Sequence, residues 1–176
     1  MTPRLATETD IPAIADLMAR ASDALQRAFL TPAQLAASRH FMGLDTQLIA
    51  DRTYFVIEES GAIIGCGGWS RRATLFGGDA SAIAREARLL DPATEPAKVR
   101  AMYTDPDRAR RGIGRRMLQT CEDAARAAGF TRVELMATLS GEPLYRACGY
   151  GAIEAVMVEA DGIAPVPMVR MEKELR

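Results

Sequence analysis

Arg108-Ala109-Arg110-Arg111-Gly112-Ile113-Gly114-Arg115-Arg116 is the stretch on which the reading of this chain turns. Upstream, Lys98-Val99-Arg100-Ala101-Met102-Tyr103-Thr104 has the texture of a strand. Asp105-Pro106 stops it, because the residue before a proline is pushed toward extended geometry. Downstream, Ile113, Met117, Leu118, Cys121, Ala125 and Ala128 recur at helical spacing, and Gly129 supplies a C-terminal stop. The segment therefore joins a strand to an amphipathic helix. The first N–H groups of such a helix have no internal acceptor and together carry about half a positive charge, an arrangement suited to phosphate. Gly112 and Gly114 would let a pyrophosphate approach those amides. The arginines at 108, 110, 111, 115 and 116 can grip phosphate in bidentate fashion.

Two well-known phosphate loops do not fit. A Walker A loop ends in Gly-Lys-Ser/Thr, and no Lys-Ser/Thr follows here. A dinucleotide fingerprint, Gly-x-Gly-x-x-Gly, would need a third glycine where Met117 stands, and belongs near the first strand of its fold. A bare Gly-x-Gly often only ends a strand, and an arginine run is more often a solvated helix face. The residues by themselves leave a phosphate cradle and a plain turn both open.

Working outward, residues 3–7 read as a short strand. Thr9 or Asp10 caps a helix with Pro12 in its first turn and Ile11, Ile14, Leu17 and Met18 on one face. Thr31-Pro32 opens a second helix, expected to run through Leu35, Phe41 and Leu44 toward Ile49. Residues 53–58 and 62–69, around Ser60-Gly61, form a hairpin pattern. Residues 71–97 break at Gly77-Gly78 and look weakly helical from Asp79 through Leu90, until Pro92 and Pro96. A strand over 131–136 has Val133 and Leu135 on one face, which points Glu134 to solvent. A short helix over 143–148 and two strands, about 150–159 and 166–174, around Asp161-Gly162 complete the chain. The order predicts an α/β fold: a mixed, mostly antiparallel sheet with a central βαβ unit that crosses over right-handed, in a single domain over 1–176.

Composition limits the function classes. The chain has 176 residues, 48% hydrophobic and 26% charged, as an ordinary globular domain has. Its formal net charge of -1 and 6% aromatic content argue against nucleic acid as a partner, despite the clustered arginines. Cys66, Cys121 and Cys148 are an odd number and far apart, which speaks against a disulfide framework and a zinc site. No metal is expected. The N-terminal residues lack the pattern of a signal peptide, and no apolar stretch approaches the roughly 20 residues of a membrane helix. The expectation is a cytoplasmic protein with no membrane partner.

The strand, the Asp105-Pro106 stop, Arg110-Arg111-Gly112-Ile113-Gly114 and the helix ending at Gly129-Phe130 together resemble the coenzyme A-binding motif of the GNAT acetyltransferases. Leu144-Tyr145-Arg146-Ala147-Cys148-Gly149-Tyr150 resembles that family's second signature, Tyr-x-x-x-Gly followed by an aromatic. The resemblance spans the chain, since the family's order of strands and helices is the one read above. One departure is Ala109, where the family pattern Gln/Arg-x-x-Gly-x-Gly/Ala has a longer side chain. That position acts largely through its backbone, and Arg108 or Arg110 is near enough in sequence to substitute.

The resemblance implies acetyl transfer from acetyl-CoA, as co-substrate, directly to a primary amine on a small molecule or peptide. It implies that the backbone of Met102, Tyr103 and Thr104 pairs with the pantetheine arm, and that Arg110, Arg111, Gly112, Ile113, Gly114 and Arg115 hold the pyrophosphate. Tyr145 would protonate or hydrogen-bond the departing thiolate. No base is assigned: Lys98-Val99-Arg100-Ala101 offers no carboxylate, and Glu134, Glu142 and His40 are alternatives, His40 more in keeping with a structural role. Trp69 and Cys148 read as packing residues before catalytic ones, and Arg71-Arg72 as solvated or as attracting an acidic acceptor. Residues about 22–34 and 71–97 are expected to shape the acceptor side. A non-catalytic acyl-CoA-binding or regulatory module is the alternative reading. A homodimer could form through the terminal strands or the 71–97 segment.

Overall fold

The computed structural model describes residues 2–175; residues 1 and 176 of the expected 1–176 domain lie outside the described residues. The elements in chain order are β1 (Arg4–Leu5), α1 (Ile11–Gln26), α2 (Pro32–Ser38), α3 (Thr46–Ala50), β2 (Tyr54–Glu59), β3 (Ala62–Ser70) and β4 (Ala97–Thr104). They continue with α4 (Ile113–Ala127), β5 (Arg132–Thr138), α5 (Glu142–Ala147), β6 (Gly151–Ala160) and β7 (Ile163–Glu174). Among the described residues no helix is long and apolar enough to cross a membrane.

The strands form one seven-stranded sheet in the order β1-β2-β3-β4-β5-β7-β6. Only β4 and β5 run parallel, joined by the α4 crossover. α4 lays Leu118, Cys121 and Ala125 against Val99, Val133 and Leu135 on one face of the sheet. On the other face α1 packs Ile14, Leu17 and Met18 against Val56 and Cys66, while Ala37 and Phe41 meet Met168 of β7. Both faces are thus covered, and polar residues in the middle of the central strands become interior residues.

Glu134 corrects the expectation that it faces solvent: it is only 1% exposed. Its carboxylate takes hydrogen bonds from Lys98 Nζ of β4 and Arg170 Nε of β7. Strict alternation put Glu134 opposite Val133 and Leu135, which is right, but that opposite face is roofed by the N-terminal helices. The three side chains hold β4, β5 and β7 together at the point where β4 and β5 part. These two strands pair only at Ala97↔Val133 and Lys98↔Glu134, and diverge beyond.

Two helical expectations are also corrected. The second helix ends at Ser38, the chain turns through residues 39–41 and again at Gly43, φ +135°, and Asp45 then caps α3 by accepting from the Gln47 N–H at 3.1 Å. The stretch from Asp79 to Leu90 forms no helix. Its backbone groups are taken by distant partners instead: Ala82 N–H by His40 O at 2.9 Å, Asp79 N–H by Leu44 O at 2.8 Å, and Glu86 O and Arg88 O by Thr74 and Ala73 N–H at 3.0 and 2.9 Å. The segment is strapped to α2, α3 and the end of β3.

Burial works against the charge on Glu134, but the hydrogen bonds from Lys98 and Arg170 outweigh it and hold the carboxyl below the ordinary range. A depressed native pKa adds stability above the unfolded-state value of about 4.3, and that contribution is lost as pH falls through the native value. Glu134→Gln should therefore cost about 3 kcal/mol at neutral pH in denaturant unfolding, the low end for a broken buried pair because Arg170 is partly exposed. The deficit relative to the parent protein should shrink as pH is lowered below about 4.

Candidate active site

The site is built where β4 and β5 separate. β4 carries a bulge there: Cys66 pairs with Tyr103 and Gly68 with Arg100, so Gly67 of β3 faces two residues, Ala101 and Met102. Ala101 sits in the left-handed region at φ +51°, and its carbonyl accepts a hydrogen bond from Tyr54 Oη at 2.8 Å. The bulge needs glycine opposite it. A Cβ on Gly67 would lie 2.2 Å from Met102 Sδ and 2.8 Å from Met117 Cγ.

A cavity of about 340 Å³ opens in the gap. One end is formed by Thr104, Gly114, Thr138, Gly141, Leu144 and Tyr145. The other reaches under α1 and the 71–97 segment, to Leu25, Gln26, Phe29, Phe41, Met42 and Phe76. The cavity therefore runs between the two helical layers past the splayed strands. The expectation that residues about 22–34 and 71–97 shape one side is consistent with Leu25, Phe29 and Phe76 standing in its wall.

Tyr145 is 8% exposed and reaches this cavity from α5. Its ring meets Tyr150 edge-on, centroids 5.8 Å apart at 62°. Burial pushes its phenol well above the usual value, so it is neutral and a hydrogen-bond donor throughout the physiological range. Of the residues singled out on β4, Met102, Tyr103 and Thr104 all line the cavity. The Tyr103 side chain turns away to the α1 face, where Oη accepts from Gly43 N–H at 3.2 Å. Thr104 Oγ1 lies close to Gly114, 3.6 Å from where a Cβ would stand.

The loop from β4 to α4 takes left-handed conformations at Arg110, φ +67°, and Gly112, φ +82°. Such alternation turns backbone N–H groups into a concavity that can hold an anion. The amides of Ile113, Gly114 and Arg115 follow, at the free N-terminus of a helix whose first turn is closed by Arg116 N–H to Gly112 O at 2.9 Å. Ile113 anchors that turn: its Cγ2 would be 2.5 Å from a Cβ on Gly65 of β3.

The arginines separate into two groups. Arg111 makes a two-pronged pair with Glu59 of β2, at 2.9 and 3.1 Å, and Arg108 bonds Glu59 at 2.9 Å and Asp105 at 3.0 Å. These two brace the loop against the β2–β3 hairpin. Arg110, Arg115 and Arg116 are exposed and make no ion pair among the described residues. They can offer their guanidinium groups to a ligand.

The remaining candidates lie elsewhere. His40 is exposed, in the turn after α2, and Glu142 is paired with Arg146 at 2.6 Å. With Glu134 engaged by Lys98 and Arg170, none of the three stands in the cavity wall. Trp69 is buried edge-on against Phe130, at 6.0 Å, under the Arg71 guanidinium, and Arg72 pairs with Asp51 at 2.7 Å. Cys148 is half-buried and free. Among the described residues no three His, Cys, Asp or Glu side chains gather as metal ligands would.

Sequence reasoning passed over Arg100, although it is a wall residue. It is 6% exposed, pairs with Asp45 at 2.7 Å and donates to Gly77 O. Asp45 is in turn held by Arg85 at 2.6 Å. The signal available was a charged residue inside an otherwise strand-like run. The glycines at 65, 67 and 68 were a second signal, since so many in one strand mark close approach or a bulge.

Residues 18–150 match the model of the Acetyltransferase (GNAT) family. An IAA acetyltransferase of Azospirillum brasilense is 30% identical over 100 residues, 57% of this chain and 53% of that protein, so the match spans about half of the relative's length. Among solved structures, a GCN5-related N-acetyltransferase of Rhodopseudomonas palustris superposes with a TM-score of 0.73 at 15% identity, over 99% of this chain and 95% of that one. The PaiA N-acetyltransferase of Thermoplasma acidophilum, solved in complex with coenzyme A, gives 0.64 at 11% identity over 98% of each chain. The overall fold is thus a known one, and with the family model matched over most of its length the chain belongs to the GNAT acetyltransferase family.

Proposed function

We propose that the protein transfers an acetyl group from acetyl-CoA directly to a primary amine, without an acyl-enzyme. The observation that carries this reading is the single cavity at the strand splay, with a phenol at one end and a binding chamber at the other. Acetyl-CoA enters from the α4 side. Its pyrophosphate sits on the amides of residues 112–115 with Arg110 and Arg115 alongside, while Arg111 acts through its backbone and braces the loop through Glu59. The pantetheine arm lies along Met102, Tyr103 and Thr104, where β4 has no partner from β5. A backbone N–H at the bulge faces the oxygen that gains charge in the transition state.

The amine attacks the thioester carbon from the α1 side. A C–N bond forms, the C–S bond breaks, and sulfur takes a proton while nitrogen sheds one. Tyr145 is the group we assign to the sulfur. As a neutral phenol it donates to the thiolate and is made whole by the proton leaving nitrogen. Tyr145→Phe should lower kcat on the order of a hundredfold with little change in acetyl-CoA affinity. Burial raises the native pKa, so the parent should show no alkaline loss from this residue below about pH 10. Equal rates for the two proteins across pH would remove the acid role.

The empty roster of bases in the cavity wall favours one other reading, a module that binds acyl-CoA without turnover. Thiol release from acetyl-CoA with a library of amines separates the two. Tight binding with no release from any amine would favour the binding module.

Two substitutions test the division of the cavity. Gly112→Ala meets no atom within 4 Å but is forced to φ +82°. It should cost about 1–2 kcal/mol of stability and weaken coenzyme A binding measured by calorimetry. Phe76→Ala should raise the KM for the acceptor several-fold and leave the acetyl-CoA Kd unchanged. Equal loss of both would assign the 71–97 segment a structural role only.

A further inference from the structure

The chamber that faces α1 has an unusual lining for a site that must receive amines. Leu25, Phe29, Phe41, Met42, Met136 and Met168 stand in its wall. Its polar atoms come mainly from Ser22, Gln26 and Arg100. Gln26 is buried and its Nε2 donates to Met42 Sδ at 3.2 Å. Among the described residues, no Asp, Glu or His belongs to the wall, and Arg100 is its only charged side chain. The other titratable wall residues, Tyr103 and Tyr145, are phenols held neutral by burial.

Arg100 does not offer a hidden counter-charge for a cation. Asp45, which neutralises it, is 2% exposed, stands outside the wall and is shared with Arg85, which also reaches Asp79 at 2.9 Å. Arg100 is itself spoken for, with Nη1 on Asp45 and Nη2 on Gly77 O, while its buried Nε lacks a hydrogen-bond partner among the described residues.

An alkylammonium ion entering such a chamber would leave its water and find no carboxylate in the wall. Each of these disfavours the charged form, and stripping an ion of water without a partner costs several kcal/mol. A strongly basic amine is almost entirely protonated at neutral pH, so it would have to shed its proton before binding. An amine attached to an aromatic ring is a weak base and is already neutral. Its ring also matches the phenylalanine and methionine walls. Resting on acetyl transfer as proposed above, we infer that the acceptor is a weakly basic amine on an apolar, aromatic body, bound as the free base. The protein then needs no general base to generate the nucleophile. The nitrogen arrives with its lone pair free, and the N–H proton lost after attack balances the one that sulfur gains.

The test uses the parent protein, acetyl-CoA, and two amines of similar shape: 4-methylaniline, weakly basic, and benzylamine, strongly basic. Thiol release is followed from about pH 6 to about pH 9, and acetyl-CoA binding is measured separately by calorimetry. For 4-methylaniline kcat/KM should be nearly flat. For benzylamine it should be at least a hundredfold lower near pH 7 and rise about tenfold per pH unit, as the free base becomes available. Benzylamine used as well as 4-methylaniline near pH 7, or a flat benzylamine profile, would overturn the acceptor assignment while leaving acetyl transfer in place. No thiol release from either amine at any pH, with acetyl-CoA bound, would overturn both. A second arm adds the missing charge: Ser22→Asp, on the half-buried side of α1, should shift the ratio of the two substrates toward benzylamine by at least tenfold. An unchanged ratio in a folded variant would count against the inference.

Discussion

The buried clasp of Lys98, Glu134 and Arg170 sets the conditions for everything else in this molecule. A parallel pair of strands left to itself would continue its ladder, and β4 and β5 would close on each other. Here they share two residue pairs and then diverge, and the charges of three strands are tied together at the root of the divergence. The bulge at Ala101, fixed from the side by Tyr54, bends β4 away from β5. The opening is therefore anchored by a buried ion cluster that spans three strands. Replacing a buried ion pair by apolar side chains can be neutral for stability. Its value here lies in specifying where the sheet stops being a sheet.

What fills the gap follows from the two layers that cover the sheet. On the α4 side, the turn from Arg110 to Arg116 presents helix-start amides and the exposed side chains of Arg110, Arg115 and Arg116. On the α1 side, the wall is mainly apolar, with Ser22, Gln26 and the buried Arg100 among its residues. The cavity thus has a polar end, which holds Thr104, Thr138 and Tyr145, and an apolar end under α1. That asymmetry is the basis on which we propose a phosphate-bearing donor at one end and an uncharged body at the other.

Much of this was legible from local pattern. The glycine-arginine loop, the amphipathic α4 and the β2–β3 hairpin are encoded by neighbours in sequence, and the structure has them within a residue or two. What was not legible depends on distant partners. Glu134 lies 36 residues from both Lys98 and Arg170, and only a roof on both faces turns its polar position inward. The stretch from Asp79 to Leu90 has helical composition, but carbonyls of the connection between α2 and α3, and amides after β3, capture its backbone groups. Arg100 was missed for the same reason, since its partner Asp45 comes from another layer. The cavity wall is assembled from α1, the turn after α2, the 71–97 segment, β4, α4, β5, α5 and β7, and no window of sequence contains it.

The pairing of Glu59 with Arg108 and Arg111 has one more consequence. It joins the anion loop to the β2–β3 hairpin before any ligand arrives, so the ordering of that loop is settled during folding. A docking anion then meets amides already aimed, and loses less freedom on association than a floppy loop would demand. The same carboxylate stands beside the cradle as a negative charge. It keeps two arginines occupied and leaves the positive field to Arg110, Arg115 and Arg116. Glu59 thus acts as a tuning weight on the loop, trading some electrostatic pull for shape held in advance.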